Sequence, residues 1–226
     1  MDFRLIGILT LAAVSGVWAQ DAAQAPQPTP PFVAKVPDQA DWKITVKYLP
    51  DASDAAAPRN AYRVVEVHTT KIDGIKRDQI HYANETTSEQ WSVGNMILWQ
   101  MPSGAIGMTD STLQPDPDTK GDVGFPVAAD SFPGVSWVRS EFFEHLVVFE
   151  QRKCFHYVNG PTEAWIDPAT RYPMAYKSGN GFYRYQYSAV PNETLTLPPA
   201  YQSVYDGFKK DQEHRRRVEE FLRQGK

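Results

Sequence analysis

The chain has 226 residues, a formal net charge of −4 and one cysteine, with 42% hydrophobic and 12% aromatic residues. Mild acidity argues against nucleic acid as a partner, because phosphate binding needs a basic surface. A single thiol excludes an intramolecular disulfide, so stability must come from packing, and the length suffices for one domain with a full core.

Arg4 precedes an apolar run over residues 5–14, and Val17-Trp18-Ala19 places small residues where a signal peptidase accepts them. The run is too short to span a bilayer, so residues 1–19 read as a removable export signal. The expected location is the periplasm or the extracellular space, with no transmembrane segment in the mature chain. Residues 20–39 carry Pro26, Pro28, Pro30, Pro31 and Pro37 among Ala and Gln. They read as an extended, solvated linker. Residues 40–226 then form a single β-rich domain with a C-terminal helix.

Trp42, Ile44, Val46 and Tyr48 alternate with polar residues, which predicts a half-buried first strand. Residues 64–70 and 77–82 flank Asp73-Gly74, a pair suited to a type I′ hairpin turn. Centring the turn there pairs Val67 with Ile80, Val65 with Tyr82, Glu66 with His81 and His68 with Gln79. Apolar residues then share one face and polar residues the other, so register and burial agree. Residues 89–93, 96–101 and 105–108 predict further strands, the second apolar on both faces and so destined for the sheet interior or a cover. Residues 109–124 form a long Pro/Asp-rich connection, and residues 126–143 hold at most a short helix. A meander follows over residues 145–150, 153–158, 163–167, 172–177 and 182–188. Tyr201, Val204, Tyr205 and Phe208 make one apolar stripe of a helix over residues 199–223, and Val218, Phe221 and Leu222 extend it.

Several groups carry chemistry on paper. Glu66, His68 and His81 share a hairpin face and offer metal-ligand types, but that face is also the solvent face. Cys154 and His156 lie two apart on one strand with no third orienting group, which favours a packed thiol over a nucleophile. Asp116 to Asp122 has calcium-loop spacing, yet Lys120 stands at a ligand position and Val127 where a bidentate Glu is needed. Tyr183, Tyr185 and Tyr187 form a stripe fit for a binding platform or for cross-strand packing. The basic residues of the C-terminal helix suit an anionic partner or a plain solvated face. No P-loop, dinucleotide fingerprint, G-x-S-x-G or H-E-x-x-H occurs. No catalytic residue, metal ligand or cofactor is assigned.

Trp165-Ile166-Asp167-Pro168-Ala169-Thr170-Arg171-Tyr172-Pro173 resembles the W-h-D-P-x-T-x-h-P hairpin (h is apolar) of exported lipoprotein-carrier domains of the LolA type. Its physical content stands alone: Asp167 bonds its own turn, Pro168 fixes φ, Thr170 closes the loop, and Pro173 must start a strand or lie at an edge. The resemblance implies an unclosed barrel enclosing an apolar cavity for acyl chains. In place of the helix usual before the first strand of such domains, this chain has its Pro-rich segment.

The expected fold is mainly β (α+β): a curved, unclosed antiparallel sheet or half-barrel of eight to eleven strands with a C-terminal helix packed on it. The expected function is a non-catalytic exported binding protein for an apolar ligand, a lipid or acylated protein. The candidate ligand-binding residues are Trp99, Trp165, Met174 and Tyr176. The alternatives are an envelope protein-interaction or structural module and, behind it, a hydrolase with a dispersed site.

Overall fold

The computed structural model describes residues 27–49, 63–101, 103–110 and 130–224. The expectations for the export signal and the calcium-like loop lie outside these residues. Eleven strands run β1 (Gln39–Tyr48), β2 (Val64–Ile72), β3 (Ile75–Tyr82), β4 (Thr87–Val93), β5 (Met96–Gln100), β6 (Ile106–Asp110), β7 (Phe143–Phe149), β8 (Arg152–Asn159), β9 (Thr162–Ile166), β10 (Pro173–Ser178) and β11 (Gly181–Ser188). One helix, α1 (Pro199–Gln224), ends the described chain, and none of the described helices is long and apolar enough to cross a membrane.

All strands join one antiparallel sheet in the order β6-β5-β4-β3-β2-β1-β11-β10-β9-β8-β7. Two meanders therefore meet at the β1–β11 pair. The sheet is curved and does not close, so β6 and β7 remain its edges. This is the fold that the alternating pattern predicts.

Local chemistry explains the turns. Asp73 and Gly74 both hold positive φ, as a type I′ hairpin requires. Val67 pairs with Ile80, His68 with Gln79 and Glu66 with His81. The expected Val65–Tyr82 pair is replaced by Val64–Tyr82, because a bulge between Val64 and Glu66 absorbs Val65. Asp167 Oδ1 accepts the backbone N–H of Ala169 at 2.8 Å and of Thr170 at 2.9 Å. Thr170 Oγ1 accepts the N–H of Tyr172 at 3.2 Å, and Pro173 opens β10.

Cross-strand partners share a face, which sorts the interior into two cores. On one side Trp42, Ile44, Val67, Tyr157, Ile166, Tyr176 and Tyr185 form the larger core, here the tyrosine face. Two connecting segments cover it with Val36, Phe132, Val135 and Val138. The Tyr185 hydroxyl donates to the Pro133 carbonyl. Gly134 sits at φ +72 so close to Tyr176 that an added Cβ would lie 2.3 Å from the ring. On the other side, the helix face, Ile72, Trp91 and Leu98 pack under Leu195, Leu197 and Tyr201.

Two readings change, and a third is decided between its alternatives. The linker expected over residues 20–39 is not a solvated tether at its C-terminal end: Val36 is buried and Phe32 and Val33 pack on the core. The Val36 N–H bonds the Asp130 carbonyl at 2.9 Å and the Ala34 N–H that of Arg171 at 3.0 Å. Proline stiffness here holds a covering strap, and the burial of Val36 outweighs the solvation expected from composition. Of the two readings of the tyrosine stripe, cross-strand packing is the one seen, since Tyr183 and Tyr185 are buried. The helix packs by its first turns alone, because the sheet ends beneath it. Every described residue from 209 onward is exposed, including Phe221 at 76% and Leu222 at 63%.

Candidate functional site

β4 begins before β5 can pair with it. Its first residues, Thr87 to Glu89, pair with β3 alone, and the β4–β5 ladder starts at Gln90–Trp99. The missing neighbour leaves a cleft of about 910 Å³ at this end of the sheet. Ile80, Tyr82 and Trp99 line it from the tyrosine face, Met101 from the strand end, and Pro198 and Tyr201 from the start of the helix.

Trp99 reaches the cleft because of what stands opposite. Its cross-strand partner is Gly107, where an added Cβ would lie 2.6 Å from the indole. The ring therefore lies across β6, a placement that only glycine permits. Tyr201 closes the far wall and packs on Trp91, with ring centroids 6.3 Å apart. Burial, with a smaller contribution from nearby Glu89, raises the Tyr201 phenol above its ordinary range, so it stays protonated at neutral pH.

The polar lining is mostly hydroxyl and amide. The hydroxyls of Tyr82 and Ser88 lie 2.9 Å apart, and Glu89 Oε1 accepts from Gln79 Nε2 at 3.2 Å. Glu89 is the one carboxylate, and no histidine, cysteine or lysine is among the described lining residues. Such a surface suits binding by apolar contact and hydrogen bonding.

Of the four residues expected to bind ligand, Trp99 lines the cleft. Tyr176 is fully buried under Gly134 and stacks on Tyr183 at 4.2 Å. Met174 is buried at the bulge between Pro173 and Ala175. Trp165 lies on the helix face of the other meander, between Phe149 at 5.4 Å and His156 at 5.1 Å. The sequence reading missed Tyr82, Met101 and Tyr201. Tyr201 had a signal, as the first residue of the helix stripe, but only the chain path places it beside Trp99.

The other candidates resolve differently. Cys154 is buried, its Sγ is 3.8 Å from the Val147 carbonyl, and burial pushes the thiol up to about 11. It is a packed thiol, not a nucleophile. Glu66 and His68 are drawn apart into pairs, Lys43–Glu66 at 3.1 Å and His68–Asp41 at 3.0 Å.

No family model matches this chain, and no curated protein matches it.

Proposed function

We propose that this chain is a non-catalytic, exported binding protein for an apolar ligand, a lipid or the acyl group of a lipoprotein, held in the cleft beside Trp99. One observation carries the reading: a cleft of about 910 Å³ whose walls are aromatic and aliphatic side chains set among hydroxyls, amides and the single carboxylate of Glu89. Its size falls at the upper end of the range usual for small-molecule sites, about 300–1,000 Å³. Each ligand methylene removed from water there contributes about 0.8 kcal/mol, and the hydroxyls of Tyr82 and Ser88 suit a polar head. The likeness of the Trp165–Pro173 hairpin to LolA-type carriers supports the same reading, as does an unclosed sheet.

A fluorescent fatty acid tests it. The chain should bind the probe saturably, and Trp99→Ala should weaken binding at least tenfold, while Trp165→Ala leaves it unchanged. Absence of saturable binding, or equal binding by Trp99→Ala, would overturn the assignment.

A further inference from the structure

The strongest polar cluster outside the cleft lies on the helix face of β7, β8 and β9. In a regular strand Glu144 and His145 would point to opposite faces. Here a bulge separates the Phe143–Tyr157 and His145–His156 pairs, leaving Glu144 as the extra residue. Bulges re-aim side chains in this way. As a result Glu144 Oε2 lies 3.7 Å from His145 Nδ1 and 3.8 Å from His156 Nδ1. One donor atom from each of the three residues falls within 4.8 Å of the others.

His156 is oriented for the role. Its side chain is 12% exposed, and Trp165 stacks on it with an interplanar angle of 24°. Its Nε2 bonds Glu163 Oε2 at 3.2 Å, and Lys177 Nζ donates to Glu163 Oε1 at 2.8 Å. Its Nδ1 is buried and has no hydrogen-bond partner. A carboxylate that takes the proton-bearing nitrogen leaves the other with a free lone pair, the arrangement that supports a metal-bound imidazole.

We infer that Glu144, His145 and His156 bind one zinc ion, with Glu163 as the positioning residue behind His156. Zinc bonds of about 2.1 Å at a tetrahedral angle set neighbouring ligand atoms about 3.4 Å apart. Small side-chain rotations bring 3.7 and 3.8 Å to that spacing. Two imidazoles and a carboxylate suit zinc and exclude the all-oxygen preference of calcium or magnesium. Three protein ligands leave a fourth position, which faces solvent because Glu144 and His145 are 49% and 58% exposed. The site is independent of the cleft, which lies on the other meander.

Calorimetric titration of the untagged full chain with zinc chloride tests this. One zinc should bind per chain. His145→Ala and His156→Ala should each weaken binding more than tenfold, Glu163→Gln should weaken it about tenfold with unchanged stoichiometry, and His81→Ala should have no effect. If His156→Ala misfolds by circular dichroism, His145→Ala still decides, because its exposed ring supports no core. Lack of saturable zinc binding, binding that survives His145→Ala, or equal loss in His81→Ala would overturn the site.

Discussion

The two meanders carry different covers on opposite faces of one sheet. In the C-terminal meander, β7 to β11, the tyrosine face is packed beneath residues 32–36 and 130–138. In the N-terminal meander, the helix face of β2 to β6 is packed beneath residues 190–205. The two candidate sites lie where these covers stop. The cleft opens where Pro198 and Tyr201 meet the end of β4, and the Glu144, His145, His156 cluster lies on the helix face beyond the reach of α1. Packing thus decides by omission where chemistry can be exposed.

The covers differ in kind, and mutation separates them. The cover of the C-terminal meander is a loop that must approach Tyr176 through Gly134. Gly134→Ala adds left-handed backbone strain to overlap with the ring, and should cost about 2–5 kcal/mol in urea unfolding. Gly74→Ala shares the positive φ but meets nothing within 4 Å, so it should cost only the backbone part, about 1–2 kcal/mol. Equal losses at the two positions would mean that the loop does not rest on Tyr176.

Alkali is the next largest lever, and it acts on the tyrosine face. Burial pushes Tyr157 up to about 12 and raises Tyr176 and Tyr185 well above their ordinary range. In the unfolded chain these phenols lose protons near pH 10, so above that pH the unfolded state binds fewer protons than the native one. Stability is therefore full below about pH 10 and falls as pH rises through the native values. Phenolate absorbance should rise together with loss of near-ultraviolet dichroism, in one cooperative step. A gradual titration of all eleven tyrosines before unfolding would show that the face is wet.

The cover of the N-terminal meander hangs on fewer anchors. Tyr201→Ala removes the ring that packs on Trp91 and also opens the cleft wall. The expected cost is about 2–3 kcal/mol, below that of a fully enclosed aromatic, with a matching fall in fatty-acid affinity. Unchanged stability would imply that Leu195 and Leu197 hold the segment alone.

Most strands were legible in the sequence because alternation and turn chemistry agree. The Asp167 turn was readable in detail, since Asp, Pro and Thr each act on atoms within a few residues. What was not legible is long-range. Nothing local announces that Val36 is covered, since proline-rich composition speaks for solvation while the partner is Asp130, far along the chain. Trp99 was readable as apolar but not as a cleft wall, because that depends on β5 ending short of β4. The His145–His156 pair was missed for a similar reason. Alternation puts Glu144 on the wrong face, and a bulge is a property of two paired strands, not of one segment. The histidines that a regular hairpin did bring to one face, His68 and His81, were the ones noticed.

The smallest expected effect is the sharpest check on the helix. Its apolar stripe continues in sequence to Val218, Phe221 and Leu222, and a reading from periodicity alone docks all of it. In the structure Val218, Phe221 and Leu222 are 43%, 76% and 63% exposed, and only Tyr201 of the helix is buried. A residue that stays in water in both states has little transfer free energy to lose. Ending the chain after Lys210 should therefore change the urea midpoint by less than about 0.5 kcal/mol of stability, the usual scale for surface changes. Tyr201→Ala, one end of the same stripe, should cost several times more. If truncation costs as much as Tyr201→Ala, the distal turns are packed in solution, and the contrast between an anchored start and a free end is wrong.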